Sequence, residues 1–241
     1  MIKNPYDIEF EIEDFHWWFV VRRRVLKSIL STLLLPLNCV TLDIGCGAGS
    51  NLRELGGSRI RAIGVDQSIY ALSLASKKLK APLINGDLNL LPIRSESIGL
   101  IVAMDILEHL ENDLNGIREL YRALQSGGIL FLTVPAFGYL WGVQDRATGH
   151  KRRYSRKEIS NKLRQEGFEI LRSSYFNFFL FFPILFARCV IRLFGLRIES
   201  ENKINSPCIN FFLKIIFSLE PFLLRYVSFP LGVSIFSIAK K

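Results

Sequence analysis

Asp43-Ile-Gly45-Cys46-Gly47-Ala-Gly49 sets a carboxylate two positions ahead of three glycines spaced G-x-G-x-G. Glycines allow a tight turn in which the backbone approaches a ligand with no Cβ in the way. A helix opening just after them presents free N–H groups. Further acids close the next apolar runs: Asp66, beside Gln67, after Ile60–Val65, and Asp87, beside Leu88, after Ala81–Ile84. An acid at the first of these points can accept two hydrogen bonds from ribose hydroxyls. One at the second can receive an adenine amino group. Asp105 follows Ile98–Ala103 and opens Asp105-Ile-Leu-Glu108-His109.

The order of acid, glycine turn, acid and acid predicts a cradle for an adenosine-bearing ligand. A dinucleotide would want G-x-G-x-x-G, whereas position 50 is Ser. Asp43 would repel a pyrophosphate but suits a cationic ligand carrying an amino acid. S-Adenosylmethionine is therefore favoured over NAD. Two histidines are candidates for proton transfer. His109 follows the fourth apolar run and suits a general base near neutral pH; the competing role for the Glu108–His109 pair is to brace the cofactor loop. His150 lies in Asp145-Arg-Ala-Thr-Gly-His150-Lys-Arg152-Arg153-Tyr154. Arg152, Arg153 and Tyr154 at a pocket mouth would suit a phosphate or carboxylate on a substrate. Trp18, in an aromatic and arginine-rich opening helix, is a further substrate contact.

Alternating elements must position these groups. Residues 12–35 read as one helix, with Phe15, Trp18, Phe19, Arg22 and Leu26 on a repeating face and Pro36 ending it. Strands at 39–44, 60–65, 81–84, 98–103 and 128–134 alternate with helices, which implies a parallel α/β sheet covered on both faces. A helix near 155–166 precedes a sixth strand at 168–174, and a seventh strand lies at 232–239. Between the last two strands, two apolar helices are expected as an antiparallel pair, bent by Pro183 and Pro221.

This region skews the composition. The chain has 241 residues and a net charge of +9. Residues 176–241 hold 13 of the 19 phenylalanines, and 8 basic residues against only the acids Glu199, Glu201 and Glu220. Grease with positive charge is what an anionic membrane surface attracts, with Arg188, Arg192, Lys214 and Arg225 at the headgroups. Two apolar charge-free runs, 28–42 and 173–187, are 15 residues each, short of the roughly 20 a spanning helix needs. Four cysteines form no CxxC pair, so neither a disulfide scaffold nor a metal site is expected. With no leader visible, a cytoplasmic setting is expected, peripheral on the inner face of the membrane.

From Leu42 to Val134 the chain resembles the class I S-adenosylmethionine-dependent methyltransferases, in particular the methyltransferase type 11 group. The resemblance rests on Leu42–Gly49, Gly64-Val-Asp66, Gly86-Asp87-Leu88, Leu91-Pro92, Asp105–His109 and Ser126-Gly-Gly128. It implies a Rossmann-like sheet of seven strands ordered 3-2-1-4-5-7-6, the seventh antiparallel. It also implies that Gly45, Gly47 and Gly49 wrap the methionine part of the cofactor, that Asp66 takes the ribose, and that Asp87 with Leu88 holds the adenine. Asp43, Cys46, Gln67 and Asp105 complete the expected cofactor shell. Residues 1–36 would form a lid, 37–175 with 231–241 the cofactor domain, and 176–230 an apolar insertion. The expected acceptor is lipidic or anionic: a polyprenyl-linked sugar, a glycolipid or a quinone precursor. A soluble small-molecule methyltransferase and a non-catalytic cofactor-binding partner of a glycan-assembly enzyme are the alternatives. A homodimer is allowed, and no nucleic-acid recognition motif is present.

Overall fold

Runs of β-branched and aliphatic residues, each closed by a turn, place seven strands between helices. The computed structural model describes residues 5–35, 39–55, 61–195 and 206–241. Two helices lead, α1 (Pro5–Ile12) and α2 (Trp17–Leu30). There follow β1 (Val40–Ile44), α3 (Ser50–Leu55), β2 (Arg61–Asp66), α4 (Ile69–Lys78), β3 (Leu83–Asn85) and β4 (Ile98–Met104). Next come α5 (Asp113–Ala123), β5 (Leu124–Pro135), α6 (Val143–Ala147), α7 (Arg156–Gln165) and β6 (Glu169–Phe176). The chain closes with α8 (Phe181–Leu193), α9 (Pro207–Ser218), α10 (Glu220–Leu223) and β7 (Ser234–Lys240). Single 3-10 turns occupy Leu107–His109 and Gly138–Leu140.

The sheet order is β3-β2-β1-β4-β5-β7-β6, as the resemblance implied. The first five strands are parallel, and β7 runs antiparallel to β5 and β6. Every residue of the central β4 is buried, as a strand covered on both faces requires. The carboxyl ends of β1, β2 and β4 therefore open on one edge, where ligands of such sheets bind.

The amino-terminal region differs from the expected single helix. α1 ends at Ile12, residues 13–16 turn, and α2 starts after an extended His16. The break is held by ions: Arg23 Nη2 donates to the Glu13 carbonyl (2.8 Å), and the buried Glu13 carboxylate receives Lys78 Nζ (2.6 Å). Pro36 and Ile60, expected at element ends, lie outside the described residues, as do Glu199 and Glu201.

The apolar insertion also departs from expectation. Pro183 falls in the first turn of α8 and Pro221 in the first turn of α10. A missing N–H costs nothing there, so these prolines start helices rather than bend them. Among the described residues the two apolar helices bond to different partners. Arg188 and Arg192 of α8 donate to carbonyls of the 139–141 turn. α9 lies along α2, where Asn210 Oδ1 accepts Trp17 N–H at 2.7 Å. Trp18, Phe176 and Phe217 form a near-parallel ring cluster with centroids 5.8–6.4 Å apart, joining α2, β6 and α9.

Phe217 is fully buried in that cluster. Phe217→Ala is expected to lower stability by about 3–5 kcal/mol. Thermal unfolding measures this, and an unchanged midpoint would mean that α9 does not pack on α2.

Candidate functional site

The glycine turn grows from β1 and is fastened to β2. Gly45 and Cys46 N–H both donate to the Val65 carbonyl, at 2.8 and 3.1 Å. Gly47 and Gly49 have φ of +52° and +90°, the left-handed region that favours glycine. At Gly49 a Cβ would strike Leu79 Cδ1 at 2.6 Å, so packing also demands glycine. At Gly47 a Cβ would meet nothing within 4 Å; this face is open to a ligand. Asp66 completes the turn by accepting Gly47 N–H (2.9 Å) and Ser68 N–H (2.8 Å). Burial raises its pKa, and those two bonds oppose the rise.

Acids crowd this edge. Asp43 is fully buried on β1, and neither carboxylate oxygen has a hydrogen-bond partner. Burial pushes its pKa up to about 7, with Arg22 pulling the other way. Asp105 sits at φ +56°, an uncommon backbone for a residue other than glycine. Its Oδ1 accepts Thr133 Oγ1 at 3.1 Å, and its Oδ2 pairs with Arg22. Two residues of α1 join the group. Burial raises the Glu9 pKa, again against Arg22, and Tyr6 bonds the Ser68 side chain. α1 is further fixed to α4 by the Tyr70 hydroxyl on Asp7 and by Lys78 on the Phe10 carbonyl. The crevice is thus lined by carboxylates facing the Arg22 guanidinium.

The two candidate histidines meet beside this edge. Their rings stand edge to face with centroids 4.8 Å apart. His150 Nδ1 lies 2.8 Å from Asp145 Oδ1, and its Nε2 lies 3.8 Å from Glu108 Oε1. Burial and the neighbouring His150 press the His109 pKa down to about 4, so this ring is neutral near pH 7 and able to accept a proton. Burial holds the Glu108 pKa well above the usual carboxylate range.

The structure does not gather the other expected contacts at an open mouth. Tyr154 is buried, and its hydroxyl donates to Asp113 Oδ2 at 2.9 Å. Arg153 makes a two-bond pair with Asp145 (2.8 and 3.0 Å), which holds that acid well below its ordinary pKa together with His150. Arg152 donates to the carbonyls of Leu110 and Glu111. A basic run next to buried acids folds inward because pairing offsets the desolvation of both partners. Trp18 lies in the aromatic cluster with Phe176 and Phe217. On the cofactor side, the Leu88 side chain belongs to the core, so only its backbone is left to meet a ligand. Cys46 is buried, with Sγ 2.8 Å from where a Gly64 Cβ would stand. Asp87 and Gln67 are exposed; Asp87 Oδ1 accepts Asn89 N–H at 2.8 Å.

Sequence reasoning did not place Arg22, Glu9 or Tyr6 in the site. For Arg22 a signal was present: it recurs on the apolar face of its helix with Phe19 and Leu26. A charge in an apolar stripe is a charge that finds a buried partner.

Comparison with known proteins agrees with this geometry. The family profile described as "Methyltransferase domain" matches residues 42–132. An inferred S-adenosylmethionine-dependent methyltransferase of Mycolicibacterium smegmatis is 25% identical over 132 residues, 54% of this chain and 51% of that one. The matches span only 51–61% of the curated relatives' own lengths. Among solved structures, a chain from the complex of the Haloferax volcanii Trm112 methyltransferase activator with a candidate methyltransferase superposes with TM-score 0.65 at 16% identity, covering 100% of this chain and 99% of that one. Haemonchus contortus phosphoethanolamine N-methyltransferase 2 in complex with S-adenosyl-L-methionine superposes at 0.60 and 18% identity, covering 90% of this chain and 52% of that one. At these identities the likeness is one of fold.

The buried Asp43 carboxyl yields a pH-dependent prediction. Its folded pKa of about 7 lies above the ordinary value of 3.8. The native state therefore loses stability as pH rises between those values and keeps that deficit above them. Asp43→Asn should stabilise the protein by about 3 kcal/mol more at pH 8 than at pH 5. Unfolding curves at the two pH values measure the difference, and an equal effect at both would contradict the burial of an ionisable group there.

Proposed function

The chain carries a class I S-adenosylmethionine-dependent methyltransferase domain, and on that premise we propose that it methylates an anionic, lipid-like acceptor at a membrane surface. The carrying observation for the cofactor is the pair of orphaned Asp43 oxygens beside the open face of Gly47. A buried acceptor without a donor costs free energy until a ligand supplies one. These residues fit S-adenosylmethionine, which when bound supplies a methyl group on an electron-poor sulfonium.

The chain's own groups then have separable roles. Gly45, Gly47 and Gly49 give backbone approach, and Asp43 offers negative charge to the cationic amino acid portion. Asp66 exchanges its bonds to Gly47 and Ser68 for ribose hydroxyls. Asp87 and the Leu88 backbone face the base. α1 and α2, within the 1–36 lid, exclude water over the crevice through Tyr6, Glu9 and Arg22. Transfer needs in-line alignment more than covalent help from the protein. His109, with its pKa pressed down to about 4, is a weak base near pH 7, so the protein contributes alignment rather than proton removal.

The acceptor class rests on the 176–230 insertion. Phe182, Phe186 and Leu193 on α8, and Phe211, Phe212 and Ile215 on α9, are all exposed. Apolar surface on this scale marks a binding face. A cavity of about 310 Å³ opens beside α8, lined among the described residues by Trp141, Arg146, Arg188, Ile191 and Arg192. Carbonyl oxygens of the 139–141 turn accept from Arg188 and Arg192. Cations next to an apolar helix suit the phosphate of a lipid. No helix among the described residues is long and apolar enough to cross a membrane, so contact would be with one leaflet.

Incubating the protein with methyl-labelled S-adenosylmethionine and a cell-lipid extract should put label into the organic phase, and Asp66→Ala should reduce it at least about 100-fold. Label confined to the aqueous phase would replace the lipid acceptor with a soluble one. Cofactor binding without any transfer would replace the enzyme with a binding module. In a second test, flotation with anionic vesicles should carry the protein upward, and the pair Phe211→Ser and Phe212→Ser should leave most of it at the bottom. Equal flotation of both forms, or none, would remove the membrane surface from the account.

A further inference from the structure

Glu108, His109 and His150 bring three donor atoms within 4.8 Å of one another. Glu108 is fully buried in the 3-10 turn after β4, and neither of its carboxylate oxygens has a hydrogen-bond partner. The Nε2 of His150 faces Oε1 across 3.8 Å, too far for a hydrogen bond. Its other nitrogen, Nδ1, is held at 2.8 Å by Asp145. Asp145 is itself fixed by two bonds from Arg153 and one from Gly142 N–H (2.6 Å). In the neutral ring, Nδ1 therefore carries the proton and Nε2 turns a lone pair toward the carboxylate. The His109 ring lies against the backbone of Gly149, which favours its protonated form.

Two imidazoles, one held by a carboxylate and the other set against a backbone group, with a partnerless carboxylate between them, make the arrangement that orients metal-binding histidines. A ring lone pair facing a buried carboxyl is satisfied by an electrophile between them, either a metal ion or the carboxyl's own proton. We propose that Glu108, His109 and His150 bind a divalent transition-metal ion, with Asp145 positioning His150. Two nitrogens and one oxygen select zinc, cobalt, manganese or ferrous iron over magnesium and calcium. Donors about 2.1 Å from a tetrahedral ion stand roughly 3.4 Å apart, so binding draws the three closer. The side chains are carried by a 3-10 turn and a loop rather than by strands, which lets them move. Three protein ligands leave a coordination position open for water or an acceptor oxygen. Asp105 acts electrostatically on both Glu108 and His109, so the cluster lies beside the cofactor crevice.

The site is tested without reference to methyl transfer. Full-length protein stripped with a chelator is titrated with cobalt(II), the visible absorption of the bound ion is followed, and zinc(II) is then added in competition. One equivalent should bind, and zinc should displace it. Asp145→Asn should weaken binding about 10–100-fold. Glu108→Gln and His150→Gln should abolish the absorption while far-ultraviolet circular dichroism and S-adenosylmethionine calorimetry show the fold and the cofactor crevice intact. If the parent protein shows no cobalt absorption, or if Glu108→Gln and His150→Gln bind as it does, the cluster is a protonated carboxyl beside two imidazoles and the metal site is overturned. Calorimetry failing with cobalt binding intact would instead strike the cofactor reading alone.

Discussion

The guanidinium of Arg22 faces the acids at the carboxyl edge of the sheet, and the crevice depends on that opposition. It pairs directly with Asp105 and lowers the pKa of Asp43, Glu9 and Glu108. One positive charge does not balance these groups: burial still raises Asp43 to about 7. A buried carboxyl in that condition is electrostatically unfinished, and a cationic ligand is what finishes it. The glycine turn supplies the other half of the design, because Gly47 leaves its side-chain direction empty where the acids converge.

The helix that carries Arg22 also carries the link to the apolar insertion. Trp17 bonds Asn210, and Trp18 packs with Phe176 and Phe217. Arg225 donates to the Ser28 and Ser31 hydroxyls on the same side. The surface rich in exposed phenylalanine and the cover of the crevice therefore share one support.

Much of this was legible from residue order. The strands and the acids at the sheet edge follow from strand-length apolar runs at Asp43, Asp66 and Asp105, since local pattern and burial agree there, whereas the sheet order was implied by the family resemblance. Packing that depends on distant partners was not legible. Arg153 and Tyr154 read as surface groups until Asp145 and Asp113 are known to be buried beside them. The break between α1 and α2 depends on Lys78 and Arg23 reaching Glu13. The fate of the apolar helices was hidden for a similar reason: composition reports how much grease is present, not which face α2 covers. The pairing of His109 with His150 joins the end of β4 to the loop after α6, a long-range juxtaposition that spacing does not encode.

The charge balance of the crevice is most directly measured by proton exchange on binding. S-Adenosylmethionine is titrated calorimetrically near pH 7 in two buffers of different ionisation enthalpy. An Asp43 carboxyl poised about there must give up its proton as the cation arrives, so the apparent enthalpy should differ between buffers with the sign of proton release, and Asp43→Asn should remove the difference. Tight binding with identical enthalpies in both buffers, or no binding at all, would contradict the account.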